Sequence, residues 1–550
     1  MAQSSCLPRW TVWCLAGENV NLNQQLPSVQ TQLPSLASPR KFFSGRPQTQ
    51  PTMMMALRHA LTWLPPSFPV AAAIAAIVLA VFIKTLATPR RADPREPPLL
   101  KPTIPFIGHI IGLIRHQADY HRILQRKSKQ PIVTLPMLTG KLYAIFDPSL
   151  ISAGLKNKHL STKPQVRAAV APLIKASKGT VDLMMSEQGD VLQDRMMLHA
   201  IPTSFSGDLQ QSFIEAALQE ATTPPVYGKH QDPFSQDPSL LQSFWDYNES
   251  IMVLMMDILP SFIAKKGHLG RIKLAQALTP YYSSQAEQHP AASALVRLRA
   301  QEMRNAGLPV EDIAKIETLL PLAAMTNTVP TLFWFFSHVF TRPALAEQLR
   351  KEVEDNLLTR DGPKAKLAVS SAVLEEKTPF LWSCYRETLR LTVHQIATRT
   401  AMQDTTITSP KTGQTYFLAK GTVVQMSIGA SHFLPEYWGE KYLDFKPDRF
   451  LGLTKEEERA FKMAHQPFGG GLHLCPGRHF ALAEMMAVMT TLLVGFEVGG
   501  LDGEGEWREP GRGTASIVDA ATRPKDYGAG FGAKVRRREG WEDVVWEYKF

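Results

Sequence analysis

"FGGGLHLCPGRHFALAE", residues 468–484, is the stretch on which the reading of the chain turns. Gly469, Gly470 and Gly471 permit a tight turn and a close approach to a flat ligand. Cys475 precedes Pro476, and proline is favoured at the first position of a helix. The sequence then continues as a helix through "GRHFALAEMMAVMTTLL", residues 477–493. This spacing predicts Cys475 at the N-cap, with the N–H groups of Gly477 and Arg478 directed back at the sulfur. The helix dipole favours negative charge there, so a thiolate is stabilised. Pro476 has no N–H, which leaves one donor fewer.

A single thiolate restricts the chemistry. A cysteine nucleophile needs a base, and His473 and His479 stand at no diagnostic spacing for one. A zinc site needs more ligands than the four scattered cysteines, Cys6, Cys14, Cys384 and Cys475, provide. A phosphate loop would end in Gly-Lys-Ser/Thr, which is absent. An axial thiolate ligand to heme iron fits best: it takes one sulfur, an apolar helix behind it and room for a planar macrocycle.

The stretch resembles the cysteine-ligand loop of the cytochrome P450 family, at Phe468, Gly471, His473, Cys475 and Gly477. The resemblance implies that Cys475 binds heme iron and that His473 pairs with a heme propionate. "ETLR" supplies Glu387 and Arg390, which share a helix face at i and i+3. "FKPDRF" supplies Arg449, which in the family completes an architectural Glu-Arg-Arg cluster. Arg399 in "IATRTAMQD" falls where the family often has a second propionate-binding group, and Arg195 is a weaker third. The resemblance runs from about Pro94 to the C-terminus and implies a mainly α fold with small β-sheets, the heme buried between two long helices.

The sequence departs from the family in "LLPLAAMTNTVPTLFWFF", residues 319–336. Ala323 and Ala324 align with small residues that make room over the heme. Thr326 falls where the family has an acid and Asn327 where it has a threonine, so the usual proton-relay pair is missing. Asn327, Thr326 and Thr328 are the candidate replacements. Pro330 removes a helix hydrogen bond and is expected to loosen the turn ahead of it. The pattern is similar to the branch holding sterol 7α- and 12α-hydroxylases and prostacyclin synthase, which contains both oxygenases and an isomerase.

Elsewhere, helical patterns cover Pro343–Leu357 and Thr378–Thr392, "LYAIFD" reads as a strand, and Gly413–Ser427 reads as a hairpin. The Met-rich run Trp245–Lys266 reads as ordinary core, or else as an adaptable pocket roof.

Composition sets the frame for these motifs. The chain has 550 residues, 44% hydrophobic and 20% charged, enough for one large domain or several ordinary ones. Its cysteines form no disulfide framework, so the body reads as cytosol-facing. The net charge of +10 suits an anionic membrane surface or an acidic protein partner. No dense basic stretch with interleaved aromatics points to nucleic acid. Residues 1–52 read as a disordered or non-native extension. Residues 53–90 hold an apolar run followed by Lys84, Arg90, Arg91 and Arg95, which predicts a single-pass anchor with residues 91–550 in the cytosol. The prolines from Pro94 to Pro105 form a stiff spacer.

The resemblance therefore implies a monooxygenase on the endoplasmic reticulum membrane. It would take electrons from NADPH through a flavoprotein reductase and oxidise a lipophilic small molecule, sterol-like or terpenoid. Two alternatives remain open: a heme-thiolate isomerase that rearranges a lipid peroxide without a reductase, and a non-catalytic heme or sterol-binding protein.

Overall fold

The segment "TLFWFFSHVF" is apolar on every side, and a helix of that kind belongs inside a protein. It forms most of the helix Thr328–Phe340, whose Trp334, Phe335, Phe336 and Val339 are buried. Against it pack the helices Pro379–Thr392, Pro343–Asn356 and Arg478–Gly495, and together they make the largest apolar core. A second core lies between the helices Leu240–Met256 and Lys265–Ser283 and their neighbours. The computed structural model that gives this arrangement describes residues 93–198, 232–500 and 509–549, apart from 103–107, 138–139, 291, 517 and 526–532, together with Leu79.

The expected extension 1–52 lies outside the described residues, as does the expected anchor apart from Leu79. Among the described residues one helical run, Val310–Phe340, is long and apolar enough to cross a membrane. Its second half is the central core helix just described.

The main sheet has five strands in the order Ile132–Pro136, Lys141–Ile145, Val423–Met426, Ala397–Ala401, Leu160–Ser161. The pairing of Lys141–Ile145 with Val423–Met426 is parallel and the rest are antiparallel. The hairpin expected over Gly413–Ser427 does not form. Its two strands exist but go to different sheets, Thr415–Leu418 pairing with Thr405–Thr408. Val424 and Met426 are buried, and burying them requires the interior position between two other strands. The proline-rich stretch begins with a turn at residues 93–96 and not as an extended spacer, and its part at 97–100 is more than a spacer. Thr134 donates its N–H to the Pro98 carbonyl at 2.8 Å and its hydroxyl to that of Pro97 at 2.8 Å, so residues 97–100 lie along the sheet edge.

In the Met-rich helix Leu240–Met256, Phe244, Tyr247, Ile251 and Leu254 face the core, while Met252, Met255 and Met256 are exposed. The reading of that run as core therefore holds for its aromatic and branched residues and not for these methionines.

Candidate active site

The loop carrying Cys475 is tied at both ends. The Cys475 N–H donates to the Phe468 carbonyl at 3.0 Å, and the Arg478 guanidinium donates to the Cys475 carbonyl at 3.0 Å. Phe468 packs against the main core. Gly469 and Gly471 have φ of +75° and +65°, a region in which side chains are strained. A Cβ on Gly471 would lie 2.0 Å from the Leu155 carbonyl oxygen. The close approach that the glycines permit is thus, at Gly471, to the end of the helix Pro148–Lys156 and not to a ligand.

The helix behind the thiol starts at Arg478 with Gly477 as its N-cap, two residues later than the spacing predicts. Cys475 is accordingly not the cap, because Pro476 and Gly477 form a turn first. The expected donors survive this shift. The backbone N–H groups of Gly477 and Arg478 still act on the sulfur, and with the Arg478 charge they favour the thiolate. Burial is the larger effect and pushes the free thiol up. A metal ion reverses that balance, since a coordinating thiol is deprotonated outright.

Arg399 and His473 are close enough to interact. Partial burial first, and then the charge of Arg399, hold the imidazole below its ordinary pKa. Arg399 itself is buried and donates to the Thr398 carbonyl at 2.9 Å, and among the described residues it has no carboxylate partner. Burial without such a partner lowers its pKa to about 10. Buried guanidinium groups are normally paired, and an anionic group bound here would supply the counter-charge. Arg195 is exposed and sits 3.6 Å from Glu302, away from this role.

Glu387, Arg390 and Arg449 come together as a buried cluster. Glu387 Oε2 accepts from Arg390 Nε at 2.7 Å, while Oε1 accepts from Arg390 Nη2 at 2.8 Å, Arg449 Nε at 2.9 Å and the Lys446 N–H at 3.1 Å. Backbone carbonyls of Trp438, His432, Tyr442 and Lys441 take the outward guanidinium nitrogens. The charges are satisfied inside the fold, as buried charges must be.

At Thr326–Asn327 the central helix breaks, dividing Leu319–Met325 from Thr328–Phe340. Pro330 has no N–H for the Thr326 carbonyl, which is the loosening the sequence predicts. Ala323 is exposed and Ala324 partly so, just ahead of the break that leads into the buried helix Thr328–Phe340. The Thr326 hydroxyl donates to the Leu322 carbonyl at 2.8 Å, and the Thr328 side chain is buried. The Asn327 carboxamide oxygen accepts two backbone N–H groups, from Ala520 at 2.7 Å and Ala521 at 3.1 Å. No local motif marks residues 520 and 521, and sequence reading missed them.

Heme fits these residues. A thiol faced by two N–H groups suits the iron, a buried arginine with no carboxylate partner among the described residues suits the carboxylate edge, and the small side chains of Ala323 and Ala324 leave space ahead of the helix break.

Comparison with known proteins agrees. Residues 229–522 match the family model for cytochrome P450. A cytochrome P450 monooxygenase of Gibberella zeae is 32% identical, covering 90% of this chain and 99% of its own length. The 25-hydroxycholesterol 7-alpha-hydroxylase of Rattus norvegicus is 26% identical, over 60% of this chain and 80% of its own. Among solved structures, the retinoic acid-bound cyanobacterial CYP120A1 superposes with a TM-score of 0.54 at 19% identity, covering 80% of this chain and 99% of its own.

Proposed function

This chain belongs to the cytochrome P450 family of heme-thiolate oxidoreductases, and on that basis we propose that it is a membrane-anchored monooxygenase acting on a sterol-like or terpenoid substrate. Heme, when bound, supplies the redox chemistry that puts one atom of O₂ into the substrate. The remaining work belongs to the chain. Cys475 ligates the iron, and the N–H groups of Gly477 and Arg478 hold its negative charge. Arg399 and His473 bind the heme carboxylates and so fix its orientation. At the helix break, the Asn327 NH₂ group orders water, and that water with the hydroxyls of Thr326 and Thr328 passes protons, in place of an acid–alcohol pair.

The single observation that carries this reading is the pairing of a thiol held by N–H donors with a buried arginine that has no carboxylate partner among the described residues. Electrons come from NADPH through a flavoprotein reductase, and the anchor in residues 53–90 keeps the body on the cytosolic face of the endoplasmic reticulum. The substrate class is supported by the Asn327–Pro330 pattern and by a relative whose name specifies a hydroxysterol.

The test is a sterol and terpenoid panel screened by heme difference spectra, followed by turnover with reductase, NADPH and ¹⁸O₂. One labelled oxygen per product with matching NADPH consumption is expected. Product formed without any reductant overturns the reading in favour of an isomerase. A panel in which nothing displaces iron-bound water favours a non-catalytic binding protein.

A further inference from the structure

Asn327 stands at the N-cap of the helix Thr328–Phe340 yet makes no side-chain cap hydrogen bond. An N-cap asparagine ordinarily accepts from the N–H of the second or third helical residue. The third here is Pro330, which has none. The second, Val329, keeps its N–H, but Asn327 has the helical backbone angles φ −108° and ψ −38° and not those of a capping residue, and its oxygen takes instead the N–H groups of Ala520 and Ala521 at 2.7 and 3.1 Å.

Those two residues lie in the segment 518–523, which is laced to three other elements. The His394 N–H donates to the Ala520 carbonyl at 2.6 Å and the Thr522 N–H to the Thr392 carbonyl at 2.9 Å, tying the segment to the end of the helix Pro379–Thr392. Trp334 Nε1 donates to the Thr522 carbonyl at 2.7 Å, a second tie to the central helix. Asp519 meets Arg523 at 3.2 Å and Asn248 at 3.4 Å, and through Asn248 the segment reaches the Met-rich helix Leu240–Met256. The segment is thus a strap over the helix break, and Asn327 is the side chain from the break that holds it.

We infer that Asn327 and Pro330 act as one positioning device: the proline opens the helix at Thr326–Asn327, and the oxygen of the asparagine at the opening clamps the strap that orients substrate. The inference rests on the monooxygenase reading only for its consequence, the site of oxidation. The clamp itself is independent of catalysis. Asn327 is a positioning residue in this role because its oxygen touches backbone and not substrate.

The experiment compares Asn327→Leu, Asn327→Asp and Pro330→Ala in the full-length heme-loaded protein. Amide hydrogen exchange is read at Ala520 and Ala521, with heme content as the check on folding. Asn327→Leu removes the acceptor, and exchange at both amides is expected to rise about tenfold or more. Asn327→Asp keeps an acceptor oxygen and is expected to restore slow exchange. Pro330→Ala leaves the Asn327 side chain untouched but returns an N–H that bonds the Thr326 carbonyl, continues the helix through the break and turns Asn327 away from the strap, so exchange is expected to rise. With a substrate in hand, Pro330→Ala is expected to spread oxidation over more positions.

Wild-type exchange rates in folded Asn327→Leu overturn the clamp, and so does unchanged exchange in Pro330→Ala. Should Asn327→Leu lose its heme, Pro330→Ala and Asn327→Asp decide the matter. Failure of the monooxygenase reading would appear in turnover alone and leave the exchange pattern intact.

Discussion

Replacing Glu387 by glutamine changes one atom and leaves two buried guanidinium groups without their counter-charge. Glu387 and Arg390 are fully buried and Arg449 nearly so, so water cannot take over. Four N–H groups converge on the two carboxylate oxygens. Glutamine keeps one of those oxygens and turns the other into an NH₂ that faces N–H donors. Breaking one buried ion pair costs about 3–5 kcal/mol. Two arginines share this carboxylate, which makes that range a lower bound here. It corresponds to a fall of roughly 10²–10⁴ in the folded-to-unfolded ratio, against a total stability on the order of 5–15 kcal/mol. The assay is heme content and thermal midpoint of the purified variant. A fall of about 3 °C or more is expected for a protein of this size, together with partial heme loss. A variant with full heme and an unchanged midpoint would falsify the architectural role of the cluster.

Cys475→Ser is expected to abolish the absorption band of the reduced carbon monoxide complex and all turnover, because an alcohol is a poor iron donor. Cys384→Ser should retain the band, since Cys384 is buried in the helix Pro379–Thr392 and no iron role is assigned to it; a band that survives the first change or vanishes in the second refutes the ligand assignment. Deleting residues 1–90 should shift the protein from the membrane pellet toward the soluble fraction with heme kept, and deleting 1–52 should not; release by the shorter deletion would misplace the anchor. His121 is buried, with Nε2 3.0 Å from Gln425 Oε1, and burial lowers its pKa to about 4. Between pH 6.5 and 4 the unfolded chain binds a proton there that the folded chain does not, so stability is lost as pH falls through that window, by about 1.4 kcal/mol per unit at most. Denaturant titrations of His121→Asn across the same window should show a slope flatter by that amount, and coincident slopes would remove the histidine from the account.

Much of the site was legible because its residues act locally. The Cys475 loop carries its turn glycines, its proline and its helix within seventeen residues, so the N–H donors to the sulfur follow from spacing even though the helix begins two residues late. Glu387 and Arg390 share a helix face by periodicity alone, and only the family resemblance could add Arg449, 62 residues away. The broken helix was readable from Pro330, a local cause. What escaped were pairings that depend on the whole fold. Thr415–Leu418 and Val423–Met426 look like a hairpin because they are adjacent, and distant strands capture both. The Asn327 oxygen went to Ala520 and Ala521, nearly two hundred residues on, where plain alanines give no sign that their backbone is the partner. Arg399 was placed by analogy, and its missing carboxylate became visible only in three dimensions.

The strand Val545–Lys549 lies parallel to Lys364–Ala368, and the Tyr548 hydroxyl meets that of Thr491, on the helix behind the thiol, at 2.8 Å. On the ribosome this has a temporal consequence. Residues 364–368 emerge early and wait for a neighbour that is translated about 180 residues later. Until residues 545–549 arrive, one face of the helix behind Cys475 lacks its cover, and Trp546 is not yet against Gly495. This side of the core is therefore completed only by contacts between segments far apart in the chain, which form late in folding.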